Sequence, residues 1–327
     1  MEILKSLKQA VLSVEESIFE ELALQVFRYQ AKHNPLYAHF VEARGLRADE
    51  VHAIRDIPFL PISFFKRHDI RTGDWEADRF FESSGTTGSQ TSRHALQDPD
   101  FYREASAKAF EAIYGPLKGY RIAALLPRYL ERGNSSLVFM AEHFIQNSGS
   151  ADSGFFLDDK VALNELLRQP APGLKTLLLG VSFALLDFAE EFGAQDPDLM
   201  VMETGGMKGR RREMIRKELH EVLCRDMGLR GIHSEYGMTE LMSQAYAPEA
   251  GLFQPAPWMR ILIRDVNDPL SWQEEGRTGG INIIDLANLH SCAFIETSDL
   301  GKCRPDGKVE ILGRFDNSDI RGCNLLI

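Results

Sequence analysis

The feature that most constrains the fold is a regular alternation of helix-like and apolar strand-like segments between residues 99 and 230. Three local signals predict the first helix of this series. Asp98 can cap it, Pro99 suits its first position and Gly115 stands near its end. The following segments alternate in type, with strands near 121–127, 175–181 and 199–206 and helices near 135–149, 182–193 and 210–228. This order predicts an α/β fold with a layered, largely parallel sheet flanked by helices.

The N-terminal part, ahead of this series, has a different pattern. From Ser13 to about His33, apolar residues recur three and four positions apart, which predicts an amphipathic helix that stops at Asn34. The segment 55–72 carries prolines among apolar residues and favours packed extended chain. A short strand is predicted at 79–83.

The C-terminal part changes to short β-like runs. After Gly231, apolar stretches such as MRILIRDV and GGINIIDL are separated by Gly, Pro and Asp. Such runs predict a smaller β-rich lobe. We therefore predict two units, an α/β core with a helical N-terminal segment over 1–230 and a β-rich lobe over 231–327.

Composition excludes several classes of function. The 327 residues carry a net charge of -11, so the chain lacks the basic excess of proteins that bind duplex nucleic acid or anionic membranes. No segment approaches the roughly 20 apolar residues of a membrane span, and the first residues lack the pattern of a secretory signal. We expect a cytoplasmic protein. Its four cysteines lack the spacing of a zinc site or a disulfide framework, so free thiols are predicted.

The stretch SSGTTGS, at 83–89, has almost no side chain to bury. Its hydroxyls and flexible backbone could wrap a phosphate, but a solvated linker explains the same composition equally well. It is not a P-loop, because GxxxxGK[ST] is missing, and no GxGxxG follows a strand. Any phosphate bound by this acidic chain must be held locally.

Three further motifs follow this stretch in the chain. In YGMTE (236–240), an aromatic ring can stack on a base, a hydroxyl can donate to phosphate and a carboxylate can hold Mg²⁺. In SDLG (298–301), the aspartate can accept from a ribose diol, and GRFDNSDIRG (313–322) places two arginines around acids and amides. Each has an ordinary structural explanation: a strand-to-loop junction, a capped turn and a solvated hairpin.

Taken in this order, the four motifs resemble the core-motif series of the adenylate-forming superfamily, which includes acyl-CoA synthetases and luciferases. The stretches LPRYLERGNSSLVFMAEHFI, GFFLDD and VMETGGMKGRRREM are similar to acyl-protein synthetases of the LuxE type, which supply fatty acyl groups to a reductase in bacterial bioluminescence. The resemblance implies the large N-terminal domain of that superfamily. It also implies ATP and Mg²⁺ as cofactors and a carboxylic acid as substrate.

The resemblance assigns a role to each matching position. It implies that the Ser/Thr/Gly loop embraces the phosphates of ATP, through Ser83, Ser84, Gly85, Thr86, Thr87 and Gly88. It places Gly205 and Gly206 against adenine, a close approach that suits residues without side chains. The nucleotide site is completed by Tyr236, Thr239, Glu240 as the Mg²⁺ ligand, Asp299 and Arg314.

The implied reaction has two halves. A carboxylate attacks ATP to form acyl-AMP, and a thiol then takes the acyl group. Enzymes of the LuxE type use one of their own cysteines, and Cys323 in RGCNLLI, beside the cationic Arg321, is the first choice here. Cys303 is the second choice, whereas Cys292 and Cys224 are expected to be inert. Two alternatives stay open: a binding subunit without catalysis, and a ligase that transfers to coenzyme A or a carrier protein.

The sequence departs from the superfamily pattern in two places. The lysine that often follows the Ser/Thr/Gly loop is missing, so Arg93 or His94 would have to supply positive charge there. The chain ends at Ile327, so we expect the C-terminal lobe with its catalytic lysine to be missing.

Other candidate contacts are less specific. A basic run could meet phosphate or form a solvated face, and it comprises Lys208, Arg210, Arg211 and Arg212. Candidates for the acyl pocket, for which core packing is the simpler explanation, are Phe139, His143, Phe144 and Phe183.

Overall fold

The structure is a computed structural model that describes residues 2–77, 79–83, 91–126, 134–156, 159–205, 211–212, 214–268 and 270–314. Within these ranges no helix combines the length and the apolar character needed to cross a membrane. The α-helices of the described part are α1 (Glu2–Leu12), α2 (Phe19–His33), α3 (Pro35–Ala43), α4 (Pro99–Tyr114), α5 (Ser136–Gln146), α6 (Lys160–Arg168), α7 (Ser182–Phe192) and α8 (Arg216–Met227).

The strands form one large sheet and one hairpin. Their bounds are β1 (Leu60–Pro61), β2 (Arg79–Glu82), β3 (Arg93–Leu96), β4 (Tyr120–Leu125), β5 (Gly154–Phe155), β6 (Lys175–Gly180), β7 (Met200–Glu203), β8 (His233–Tyr236), β9 (Ala245–Ala247), β10 (Leu252–Pro255), β11 (Met259–Arg264), β12 (Thr278–Asp285), β13 (Phe294–Cys303) and β14 (Val309–Arg314). The order in the large sheet is β11-β12-β13-β14-β10-β9-β8-β7-β6-β4-β5, with β1 beside β13, while β2 pairs with β3.

The parallel half of the sheet runs from β5 through β4, β6 and β7 to β8. Every residue of β4 is buried, as are the last four of β6, which fits parallel strands covered by helices on both faces. The helices α4, α5, α7 and α8 come from the predicted alternation. The predicted α/β fold class is therefore confirmed.

Helix α4 shows how local sequence sets a boundary. The Asp98 carboxylate accepts from the Phe101 N–H at 3.0 Å, Pro99 occupies the first turn, and Gly115 follows the last residue. Gly115 has φ 84°, a left-handed value that favours glycine. All three signals predicted from the sequence are confirmed.

The antiparallel half contains the β-like runs predicted after Gly231. β11 pairs with β12, β12 with β13, and β13 with β14. β10 pairs with both β14 and β9, and so joins this half to the parallel strands. The boundary at residue 230 stays a proposal, and β7 pairs with β8 across it.

The N-terminal helices brace the antiparallel half. Gln30 on α2 donates to the Asn288 carbonyl at 2.8 Å and accepts from the Ala293 N–H at 2.9 Å. Asn34 donates to the Ser291 carbonyl at 3.0 Å. The turn between β12 and β13 is thus held from a segment more than 250 residues away in sequence, as the Gln30 bonds show.

Several element predictions need correction. Helix α8 begins at Arg216 and not near residue 210, because residues 211 and 212 lie in irregular chain ahead of it. Helices α1, α3 and α6 were not predicted, and α3 begins at Pro35, directly after the predicted stop. The segment 55–72 contains two 3-10 turns around β1 in place of continuous extended chain.

Candidate functional site

The base of the Ser/Thr/Gly loop is closed by the β2–β3 hairpin. The Ser83 N–H donates to the Ser92 carbonyl at 3.0 Å, and the Ser92 N–H donates to the Ser83 hydroxyl at 2.9 Å. These reciprocal bonds bring the two ends of the loop together. The predicted phosphate contacts Ser84, Gly85, Thr86, Thr87 and Gly88 lie outside the described residues.

This hairpin lies directly against the Thr239–Glu240 segment that follows β8. The side chain of Ser92 is hydrogen-bonded to the Glu240 carboxyl group. His94 contacts the Thr239 carbonyl at 2.8 Å through Nδ1, which must donate because a carbonyl only accepts. The structure thus brings strand β3 and Ser92, which follow the first motif, into contact with the second motif.

Asn288, in the turn after β12, also binds the Thr239–Glu240 segment. The Asn288 amide donates to the Glu240 carbonyl at 2.8 Å. Both carbonyls of the Thr239–Glu240 segment are therefore bound by side chains from other parts of the fold. Hydrogen bonds of this kind, from side chains to the backbone of a site, hold the residues of the site in one geometry.

The Glu240 carboxyl group is 6% exposed, and burial raises its pKa while the Ser92 hydroxyl opposes the shift. Its oxygens are the hard ligands that Mg²⁺ prefers, and Mg²⁺ commonly takes one or two carboxylates together with phosphate oxygens. No cluster of three or more His, Cys, Asp or Glu residues suited to a metal occurs in the described ranges. The Glu240 carboxylate fits a cation that also takes phosphate oxygens as ligands.

The third and fourth motifs meet on β13 and β14. Asp299 and Arg314 are directly paired in the β13–β14 register, with 3.4 Å between the Asp299 Oδ1 and the Arg314 Nε. The Tyr236 hydroxyl donates to the other Asp299 oxygen at 2.6 Å. Asp299 is 6% exposed, whereas the Arg314 side chain is 78% exposed. The arginine can therefore turn towards a ligand without leaving the carboxylate buried alone.

Gly205, directly after β7 and Thr204, adopts a backbone conformation that glycine favours. Its φ is 42°, and within the part of the chain that the structure describes no atom lies within 4 Å of the place that a Cβ would occupy. The Gly205 N–H donates to the Glu203 carboxylate at 3.0 Å, which fixes the turn. Open space above a fixed backbone suits the flat contact expected with adenine. Gly206 lies outside the described residues.

The thiols that the structure describes are not activated by their surroundings. Burial raises the pKa of Cys292 to about 12. The pKa of Cys303 is raised by burial and by Glu275, and that of Cys224 is raised by burial. Cys323, the first choice for the acyl acceptor, lies outside the described residues.

His94 and Arg93, the two residues expected to supply positive charge near the Ser/Thr/Gly loop, differ in burial: His94 is buried and Arg93 is exposed. His94 is 2% exposed, and burial lowers its pKa to about 4, so it is neutral at pH 7 and corrects the prediction of a cation there. Arg93 is exposed, stacks on the Phe80 ring at 4.1 Å and lies 3.3 Å from Glu82.

The basic run before α8 is also partly engaged. Arg211 forms ion pairs with Asp187 and Glu190 on α7, and Arg212 pairs with Glu218 at 2.6 Å. Of the two interpretations of this run, phosphate contact and a solvated basic face, these ion pairs fit the solvated face. Lys208 and Arg210 lie outside the described residues.

The candidates for the acyl pocket are mainly core residues. Phe139 packs against Phe81 at 5.7 Å, Phe144 packs against Phe110 at 5.2 Å, and Phe183 is buried. His143 is half-buried in a surface groove of about 430 Å³ between α4 and α5. The simpler explanation, core packing, therefore holds for the three phenylalanines.

Sequence reasoning missed the residues that support the site. Ser92, Asn288, Glu203 and Arg216 contact the motif residues or their backbone. Glu203 stands inside the ETGG stretch, which was a usable signal, but nothing local marks Asn288 or Arg216. Their roles depend on contacts that only the fold creates.

The arrangement can bind an anion beside a ribose-like diol. A buried carboxyl group at Glu240, an acceptor at Asp299 and a guanidinium at Arg314 lie along connected elements. These groups match the parts of a nucleotide: phosphates, a bound cation and a sugar.

Comparison with known proteins gives one curated relative and a set of structures. The chain is 38% identical over 85 residues to the long-chain-fatty-acid–luciferin-component ligase of Photorhabdus luminescens, a match that spans 25% of this chain and 72% of that protein. No family model matches the chain.

Among solved structures, 2-hydroxyisobutyryl-CoA ligase with 2-HIB-AMP and CoA superposes with a TM-score of 0.65 at 14% identity, covering 91% of this chain and 70% of that chain. ATP-bound MatB from Rhodopseudomonas palustris gives a TM-score of 0.51 at 20% identity, covering 74% of this chain and 50% of that chain. At these identities the structures establish the shared fold.

Proposed function

The chain belongs to the family of long-chain-fatty-acid–luciferin-component ligases, and from this premise we propose that it activates a carboxylic acid with ATP and passes the acyl group to a thiol. The observation that carries the proposal is that Tyr236, Asp299 and Arg314, from three motifs far apart in sequence, lie in one series of contacts. Ser83 and Ser92 close the loop beside Glu240, and Tyr236 joins Asp299 to the same region. Membership of this family makes the chain an acyl-activating ligase.

In the first half-reaction, a carboxylate oxygen of the acid attacks the α-phosphorus of ATP. A new P–O bond gives acyl-AMP, and pyrophosphate leaves with the electrons of the broken bond. We assign Asp299 and Arg314 to the ribose, Gly205 and Gly206 to adenine, and Thr239 to the phosphate. The bonds to the Thr239 and Glu240 carbonyls hold the segment that carries Thr239 in one geometry.

Charge on the leaving pyrophosphate has to be neutralised. The loop formed by Ser83, Ser84, Gly85, Thr86, Thr87 and Gly88 would supply backbone N–H and hydroxyl donors. Glu240 and the phosphates would hold Mg²⁺, which supplies positive charge to the phosphate oxygens when bound. Since His94 is neutral, it adds no positive charge at this position.

In the second half-reaction, a thiolate attacks the acyl carbonyl carbon and AMP leaves with the electrons of the acyl–oxygen bond. We propose Cys323 as this thiol, from its match to the family pattern. The raised pKa values of Cys224, Cys292 and Cys303 support this choice, because a neutral thiol is a poor nucleophile. A reductase or an acyl-carrier protein would then receive the acyl group.

The adenylation half is tested by measuring pyrophosphate release from ATP with a panel of fatty and aryl acids. We expect release that depends on the acid, and trapping of acyl-AMP as a hydroxamate. Asp299→Asn should raise the KM for ATP, because the ribose acceptor loses its charge. ATP binding without turnover on any acid would favour the binding-subunit alternative.

The acceptor is identified with a labelled acid. Label should remain on the denatured protein, be released by hydroxylamine and disappear in Cys323→Ala. Cys303→Ala is the matched control and should retain the label. If the label is transferred to added coenzyme A and none remains on the protein, the acceptor is coenzyme A and not Cys323.

A further inference from the structure

The Glu203 carboxylate, at the end of β7, is 2% exposed and makes contacts in several directions. One oxygen accepts from the Arg216 Nε at 3.0 Å, and the other accepts from the Gly205 N–H at 3.0 Å and the Ser182 hydroxyl at 3.4 Å. The His220 Nε2 lies 3.7 Å away. The carboxylate therefore joins helix α8 directly to the Gly205 turn.

Arg216 extends this connection to the strand that carries Arg314. While its Nε donates to Glu203, its Nη1 donates to the Ile311 carbonyl on β14 at 2.6 Å. A guanidinium can serve two acceptors in fixed directions, whereas a lysine ammonium is a single point charge. Because Arg216 is the first residue of α8, the helix places its side chain between β7 and β14.

Ring contacts also connect Arg216 to Asp299. The Arg216 guanidinium lies 4.7 Å from the centre of the Phe253 ring, which meets the Tyr236 ring edge-on at 6.0 Å. Tyr236 in turn donates to Asp299, the register partner of Arg314. Both the Gly205 side and the Asp299 side of the site are thus attached to one side chain.

We infer that Glu203 and Arg216 are a positioning pair that fixes the Gly205 turn relative to β14, and so sets the gap that receives the adenosine part of the nucleotide. The inference rests on the proposed function for the identity of the ligand. Neither residue is assigned a contact with substrate. A buried ion pair adds little net stability compared with apolar side chains of similar volume. We therefore infer that the Glu203–Arg216 pair serves to position the Gly205 turn relative to β14.

The test uses Arg216→Lys, which keeps the charge but cannot reach both acceptors, and Arg225→Lys as the matched control. Arg225 lies on the same helix in an exposed pair with Asp226. We expect Arg216→Lys to raise the KM for ATP roughly tenfold, with kcat and the KM for the acid within about twofold. AMP inhibition should weaken in parallel, whereas pyrophosphate inhibition should not change, since the pair contacts neither Ser83 nor Glu240.

A ligand-free measurement separates this inference from the proposed function. Amide hydrogen exchange in 203–205 and in 309–314 should accelerate together in Arg216→Lys and stay unchanged in Arg225→Lys. Glu203→Gln provides a second variant with the same expected pattern.

If the wild type turns over no acid, the proposed function fails, while the exchange result still decides whether the pair couples the two segments. A lower melting temperature with unchanged exchange in both segments and unchanged KM for ATP would show a purely structural pair and overturn the inference.

Discussion

The ends of β7 and β8 carry two buried glutamates whose environments drive their ionisation in opposite directions. Burial raises the pKa of Glu203, but His220, the Arg216 charge and Ser234 outweigh it and bring the value down to about 2. For Glu235, burial and repulsion from Glu203 outweigh the Thr204 hydroxyl and raise the pKa to about 7. Two buried carboxyl groups on adjacent strands thus differ because one faces the Arg216 guanidinium and the other faces a hydroxyl.

The two side chains face different surroundings because neighbouring residues of a strand point to opposite faces. Ser234, the register partner of Glu203, contacts His220 on α8. Glu235 lies over Gly237, where an added Cβ would be 2.4 Å from its Oε1. The comparison teaches that, of the two faces at the ends of β7 and β8, the one that holds Arg216 favours the ionised carboxylate.

The largest expected effect comes from Glu203→Gln, which leaves Arg216 without its anionic partner. We expect the free energy of unfolding at pH 7 to fall by about 3–5 kcal/mol, measured by urea denaturation. Because the folded pKa of about 2 lies below the ordinary 4.5, the contribution is present above pH 4.5 and is lost as pH falls towards 2. A loss of the same size at pH 3 would contradict the assignment. Exposed Glu221→Gln is the control.

The opposite result is expected for Glu235→Gln. The folded pKa of about 7 lies above the ordinary 4.5, so wild-type stability declines as pH rises through 7 while the variant does not titrate. The variant should therefore be more stable by about 3 kcal/mol at pH 8 and nearly equal at pH 4. Destabilisation at pH 8 would mean that the ionised carboxylate has a cationic partner, and the contrast with Glu203 would disappear.

A smaller effect is expected from Thr204→Val, which keeps the side-chain shape but removes the hydroxyl that donates to Glu235 at 2.5 Å. The cost should be about 2 kcal/mol at pH 8, where the acceptor is charged, and less at pH 5. The measurement is thermal unfolding at both values. An equal cost at both would show that the bond does not depend on the ionisation of Glu235.

The smallest effect is expected from Ser182→Ala, which removes one long hydrogen bond of 3.4 Å to Glu203. Because Arg216 and the Gly205 N–H remain, stability should fall by about 0.5 kcal/mol. The same urea measurement at pH 7 checks it. A loss comparable to that of Glu203→Gln would mean that Ser182, and not the ion pair, holds the carboxylate.

Elements with local signals were predictable from the sequence, and those that depend on distant contacts were less so. The α4 helix was correct because its cap at Asp98, its proline and its terminal glycine act within one turn of the chain. The predicted start of α8 was wrong, since the helix begins at Arg216 and Arg211 lies ahead of it, paired with carboxylates on α7. Helix α6 was missed although Asp159 caps it with a bond to the Ala162 N–H at 2.9 Å, a signal that the sequence did contain.

The candidate site divides in the same way. Tyr236, Glu240, Asp299 and Arg314 could be named from motif order, and the structure places Tyr236, Asp299 and Arg314 in one chain of contacts. The charge of His94 could not be predicted, because its pKa depends on burial by elements far away in sequence.

The sequence by itself determined the alternation of strands and helices, the helix caps and the order of the four motifs, since these depend on residues close together in the chain. Tertiary structure alone decided which carboxylate meets a cation, that His94 is neutral, and that Arg216 links Glu203 to β14. The physical reason is that ionisation and hydrogen bonding depend on distances and desolvation, and both are set only when distant segments pack together.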